Sequence, residues 1–240
     1  MKKIILFLAI LAMCGGSAFS QTTEPTTNNT DNPTNSQWTI GASVGVTLNV
    51  HQAGVGYMKA FSYTPYFGIG ADLKVRYNVT NWLACRSGFY IMGKNYVLMH
   101  EKVDNIDAYG TLAANNYIGI PLMADISIGN KVKWHFLLGG YAGYWASARR
   151  KGASIPILEA EGHEMLTEHD YQFNSVRDNR FDAGIVAGVG LAIPCSSKID
   201  IDVEMLYYHG LTDVQKVYMR EHNPRYNSTV DLNVGVSYHF

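Results

Sequence analysis

The sequence predicts an all-β chain folded as an eight-stranded antiparallel up-and-down transmembrane β-barrel, with short turns at one end and long loops at the other. Three observations predict it. Eight segments alternate apolar and polar residues with period two, as strands with one apolar face do. Their apolar faces carry no Asp, Glu, Lys or Arg, and a Lys or Arg there would cost roughly 2 to 4 kcal/mol at mid-bilayer. The connections alternate long and short, which is how transmembrane barrels place their loops and turns.

The sequence starts with Lys2 and Lys3, an apolar run from Ile4 to Met13, and small residues closing at Ala18, Phe19 and Ser20. This reads as a signal peptide over residues 1–20, cleaved after Ser20. The run is too short to be an anchor, since a bilayer core takes about 20 apolar residues. Met13 is a poor neighbour for acylation of Cys14. Residues 21–36 are Thr, Asn, Pro and acid with no apolar period and read as a disordered leader. Residues 37–240 are the barrel domain.

Strand 1 runs from Gln37 to Val50, with Trp38, Ile40, Ala42, Val44, Val46 and Leu48 on one face. A loop over 51–64 leads to strand 2, where Phe67, Ile69, Ala71, Leu73, Val75 and Tyr77 oppose Asp72, Lys74 and Arg76. The turn-formers Asn78 to Asn81 introduce strand 3, from Trp82 to about Tyr96. After a connection over 97–114, strand 4 is Asn115 to Ile128. Pro121 interrupts it and should mark a bulge, because proline cannot donate to a ladder. Gly129 and Asn130 turn into strand 5, Lys131 to Ala148. The longest loop is 149–179. Strand 6 is Arg180 to Ile193, Pro194 to Lys198 is a turn, and strand 7 is Ile199 to His209. A last loop, 210–226, leads to the closing strand, in which Val230, Leu232, Val234, Val236, Tyr238 and Phe240 alternate with Asp231, Asn233, Gly235, Ser237 and His239. Such a strand is expected to be paired on both sides, since an open apolar edge would aggregate.

A soluble barrel of the lipocalin type would alternate in the same way with its apolar face inside. Glycine separates the two. Gly41, Gly45, Gly68, Gly70, Gly88, Gly119, Gly139, Gly143, Gly184, Gly188, Gly190 and Gly235 all fall on the polar face. On a solvated exterior they would weaken strands; inside a barrel of about eight strands they make room for long neighbours. Outward Trp38, Tyr77, Trp134, Tyr144, Tyr207 and Tyr238 suit two interfacial aromatic girdles. Cys85, on an outer face, and Cys195, in a turn, stand too far apart to pair. A formal net charge of −1 gives no basic surface for nucleic acid.

The segments Tyr117-Ile118-Gly119-Ile120-Pro121-Leu122, Gly139-Gly140-Tyr141, Asp182-Ala183-Gly184 with Gly188 and Gly190, and Tyr208-His209-Gly210-Leu211-Thr212-Asp213, with the aromatic end, resemble the PorT-like outer-membrane β-barrel proteins common in bacteroidetes. The resemblance covers nearly the whole chain expected after cleavage at Ser20. It implies a porin-family barrel in a Gram-negative envelope, and an accessory role in protein secretion as one alternative, although no residue singles out that role.

The inward charges form the sharpest cluster: Asp72, Lys74, Arg76, Arg86, Asp125, Lys133, Asp182, Asp200, Asp202, Glu204 and Asp231. In so narrow a lumen they should pair into a structural plug, because an unpaired buried charge is costly. The functional alternative is a narrow porin-like path for small solutes or ions, in which the acids would favour cations. Glu159, Glu161, His163, Glu164, Glu168, His169 and Asp170 match no metal-binding spacing and read as an acidic solvated loop. His209 with Asp213 is the nearest approach to a catalytic dyad on lipid or peptide, but no nucleophile motif accompanies it. No catalytic, cofactor-binding or metal-binding residue is therefore assigned. The expected protein is a monomer in outer-membrane lipid, with no enzymatic activity and no nucleic-acid partner, anchoring loops that meet surface or envelope partners.

Overall fold

A computed structural model describes residues 37–53, 61–100, 109–129, 132–153, 166–216 and 224–240. The expected signal peptide and leader lie outside the described residues. The strands are β1 Trp38–Ala53, β2 Phe61–Asn78, β3 Leu83–Gly93, β4 Tyr96–His100, β5 Tyr109–Ile128, β6 Lys133–Ala153, β7 Leu166–Asp170, β8 Phe181–Pro194, β9 Ile199–Gly210 and β10 Arg225–His239. All pairings are antiparallel. β1 pairs with β2 and with β10, β10 with β9, β9 with β8, β8 with β6, and β6 with β5. β3 and β4 succeed one another between β2 and β5, so they occupy a single position in the wall. The ring closes with eight strand positions, and β7 pairs with β6 on the edge that β8 occupies, further along the strand.

Closure removes the edges that open sheets leave. The face assignment follows the sequence. On β10, Val230, Leu232, Val234 and Val236 point out, whereas Asp231, Asn233 and Ser237 are buried. The exterior carries Val44, Phe67, Ile69 and Leu138, each more than three-fifths exposed. An apolar surface of this extent marks an interaction surface, not a wall meant for water. At the turn end Trp38 contacts Tyr77, with ring centroids 4.7 Å apart, and Trp82, Trp134 and Tyr238 are exposed beside them. Glycines serve the lumen: a Cβ at Gly119 or Gly143 would fall on the Tyr90 phenol, and one at Gly41 on the Lys74 chain.

The structure corrects two expectations. The stretches 51–64, 97–114 and 149–179 are not wholly loops: β1 runs on to Ala53, β2 starts at Phe61, β4 and the first part of β5 fill much of the second stretch, and β6 and β7 enter the third. Pro121 makes no bulge. It stays in register with Tyr141, and only the pairing with β3 is interrupted, between Ser87↔Leu122 and Tyr90↔Gly119. There Ser87 Oγ donates to the Pro121 carbonyl at 2.9 Å. The register shift lies between Asn116 and Tyr117, opposite Ser147 and Trp145, so Ala146 is the extra residue. Arg180 fastens this bulge, donating to the carbonyls of Trp145 at 2.9 Å and Ala146 at 2.8 Å.

Candidate functional site

Period two sends the even residues of β2 and β3 and the even residues of β9 into the lumen, which brings Lys74, Arg76, Arg86, Asp202 and Glu204 together. Glu204 accepts from both Arg86 terminal nitrogens at 2.7 Å and from Lys74 Nζ at 3.0 Å. Lys74 also meets Asp202 at 2.6 Å, whose carboxylate takes a hydrogen bond from Ser237. Nearer the turns, Asp125 holds His135 at 2.7 Å and Arg76 at 3.5 Å, and His239 meets Asp200 at 2.7 Å. A small charged pocket, with room for about a water molecule or two, lies among these groups. Buried ions need such partners, since their loss of hydration is otherwise uncompensated.

The expected pairing is incomplete at two acids. Asp72 accepts from Ser43, and Asp231 accepts from Asn233 Nδ2 at 3.2 Å. Neither meets a cation, and Asp72 Oδ1, Asp231 Oδ1 and Asn233 Oδ1 are buried without hydrogen-bond partners among the described residues.

Above this ionic storey lies an aromatic one. Tyr90, Tyr141 and Tyr208 contact one another with centroids 5.3 to 6.4 Å apart. Tyr117, Trp145 and Tyr171 stack in a row at 5.9 and 5.7 Å. Between the groups sits Lys94, fully buried, with Nζ 2.6 Å from Asp182 and about equally far from the Tyr117 and Tyr141 rings, at 5.0 and 4.9 Å. Ring faces and one carboxylate together hold this desolvated ammonium. The sequence reading missed Lys94, although its parity with Arg86 and Tyr90 carried the signal.

The segment 171–180 caps the aromatic storey. Phe173 meets Trp145 edge-on at 4.9 Å, and Asn179 binds back to the 211–216 segment through the carbonyls of Val214 and Asp213. Asp178 organises the cap. Burial by itself would raise its carboxyl, but Arg177 Nε at 2.9 Å, the Asn174 amide at 2.8 Å and the Tyr171 hydroxyl at 3.1 Å outweigh burial and hold it below its ordinary value. Burial and the neighbouring Asp178 raise the Tyr171 phenol.

Residues 19–216 match the family described as the outer membrane protein beta-barrel domain. The chain belongs to this family. It is an outer-membrane barrel, and it resides in the outer membrane. Among solved structures, OprG from Pseudomonas aeruginosa is 8% identical with a TM-score of 0.50, the match covering 88% of this chain and 99% of that one. Ail of Yersinia pestis, solved with the heparin analogue sucrose octasulfate, is 17% identical with a TM-score of 0.40, over 84% of this chain and 99% of Ail. Neisserial surface protein A is 16% identical with a TM-score of 0.37, over 85% and 98%. At these identities the likeness is one of fold. No curated protein matches the sequence.

In this outer-membrane barrel the residues singled out for catalysis part company. His209 Nδ1 lies 3.1 Å from Ser228 Oγ and 3.4 Å from the Tyr207 hydroxyl, whereas Asp213 Oδ1 accepts from the backbone of Gln215 and Arg225. Ser228 is itself buried, and Asp213 does not stand behind His209 as the orienting third group of a triad. Of the acidic loop, Glu159, Glu161, His163 and Glu164 fall outside the described residues. Glu168 and Asp170 bridge to Arg149 and Lys151 across the β6–β7 ladder, and the described residues contain no cluster of metal-ligating side chains. Cys85 and Cys195 form no disulfide.

Proposed function

We propose that the barrel is a monomeric, non-catalytic anchor of the PorT-like kind, made with a cleaved signal peptide, seated in lipid by its apolar wall, and presenting its loop end to partners at the cell surface. Residues 21–36 serve as a periplasmic tether. The observation that carries this reading is the filled lumen: an ionic storey and an aromatic storey leave no wide passage, so the surface left to work is the loop-end rim. Barrels of this size are generally filled by their own side chains.

A narrow ion path is the second reading, favoured by the charged cavity lined by Arg76, Asp125 and Asp202. Conductance of the refolded protein in a planar bilayer decides between them. A closed lumen gives no discrete current steps. Steps that change with Asp202→Asn and Arg86→Gln would establish the ion path and refute the plug.

A further inference from the structure

The rim carries two arginines that no acid neutralises among the described residues, and both lie on aromatic shelves. Arg150, on β6, places its guanidinium 4.5 Å from the centre of the Tyr171 ring and donates to Asn115 Oδ1 at 3.0 Å. Arg225, at the start of β10, lies 5.8 Å from the centre of the Tyr63 ring. Each is half-buried. The other described arginines of this end are committed: Arg149 to Asp170 and Glu168, Arg177 to Asp178, and Arg180 to two carbonyls. Arg150 and Arg225 have no carboxylate within ion-pair distance among the described residues.

The two belong to one site. His51 stacks on Tyr96 with centroids 4.6 Å apart and meets Tyr63 at 4.9 Å. Tyr96 lies opposite Ala113 and Ala113 opposite Arg150 in the ladder, while the Tyr63 ring that carries Arg225 is 5.5 Å from Tyr96. A row of rings thus separates the two cations, and closed-barrel strands fix their spacing. Guanidinium forks suit sulfate and phosphate oxygens, and a ring behind each fork limits its motion without consuming its donors. Tyr63 and Tyr171 are half-buried, and the parts of their rings left uncovered offer apolar contact to a sugar ring.

We propose that Arg150 and Arg225, with Tyr63 and Tyr171, form a binding site for a saccharide bearing sulfate or phosphate groups. The proposal rests on the reading that the loop end is the working surface, and it names the ligand class for that surface.

The test titrates the refolded full barrel, in neutral detergent, with a persulfated disaccharide. Binding should be absent for the unsulfated disaccharide and should weaken as salt rises, as screening requires. Arg150→Gln and Arg225→Gln should each lower affinity about tenfold or more, the effect of losing one charge-assisted contact. Arg149→Gln, which removes an exposed charge of the same end already paired with Asp170 and Glu168, should leave affinity within about twofold. A parallel arm uses vesicles with and without a phosphorylated glycolipid. Binding of the soluble sugar alone points to a free or cell-borne polyanion, and binding of the vesicles alone to a neighbouring lipid head group; either supports the site. Failure of both arms, or equal losses from all three variants while each still migrates as a heat-modifiable folded barrel, overturns it. Channel activity would refute the plugged lumen without altering this titration, so the two failures are distinguishable.

Discussion

Glu204 offers the sharpest perturbation of the lumen. It accepts both forks of Arg86 at 2.7 Å and Lys74 at 3.0 Å, at a position 4% exposed. Glu204→Gln keeps the shape and removes the charge. Lys74 retains Asp202, but Arg86 keeps no carboxylate within ion-pair distance among the described residues, and the new amide NH2 faces donors. Breaking a buried pair from one side costs roughly 3 to 5 kcal/mol. Asp231→Asn is the control, since Asp231 is buried to a similar degree, at 5%, without a cation. Removing its charge should leave stability within about 1 kcal/mol of wild type, or above it. Urea titration in phospholipid vesicles, followed by tryptophan fluorescence, measures both. The double variant Arg86→Gln with Glu204→Gln should recover much of the single-variant loss, because it removes the stranded cation. Equal losses from Glu204→Gln and Asp231→Asn, or a Glu204→Gln loss below about 1 kcal/mol, would refute the distinction between paired and orphan acids.

Two further expectations concern the wall and the cap. Val234 is 52% exposed in the middle of β10, so Val234→Arg should cost roughly 2 to 4 kcal/mol in a bilayer and sharply reduce assembled barrel, while Val234→Leu assembles normally; equal yields would reverse the two faces. The carboxyl of Asp178 is held below its ordinary value in the folded cap, so its contribution is present above the unfolded carboxylate range and is lost as pH falls through the folded value. Hydrogen-exchange protection of the Asn174 amide, which donates to Asp178, should therefore persist at pH 5 and fall only in more acidic solution. Loss of protection near pH 6 would contradict that sign.

The wall was legible because a bilayer-facing surface excludes charge so strictly that parity alone assigns each residue of β1, β8, β9 and β10 to a face. The short turns were legible from Asn78 to Asn81 and from Gly129. Above the apolar band that selection lapses. Val97 and Leu98 are adjacent apolar residues, yet both sit in β4, and Tyr109–Ala114 is a strand only because β4 and β6 pair with it. Pro121 misled because its missing N–H interrupts one ladder without changing register. The true bulge, at Ala146, is marked by nothing local; its freed carbonyl is satisfied from a distance by Arg180. The rim site was equally hidden, since Arg150 and Arg225 lie far apart in sequence and become neighbours of one aromatic row through barrel closure.

The most direct test of which end faces outward uses cysteine. Native Cys195 is exposed in the short turn between β8 and β9, and Ser175 is exposed in the cap. Intact cells bearing Ser175→Cys are treated with a maleimide coupled to a polymer too large to cross the outer membrane. Labelling at position 175, with Cys195 protected until the outer membrane is opened, is the expected result. Labelling of Cys195 in intact cells, with position 175 protected, would place the arginine rim in the periplasm and contradict both the proposed function and the ligand site.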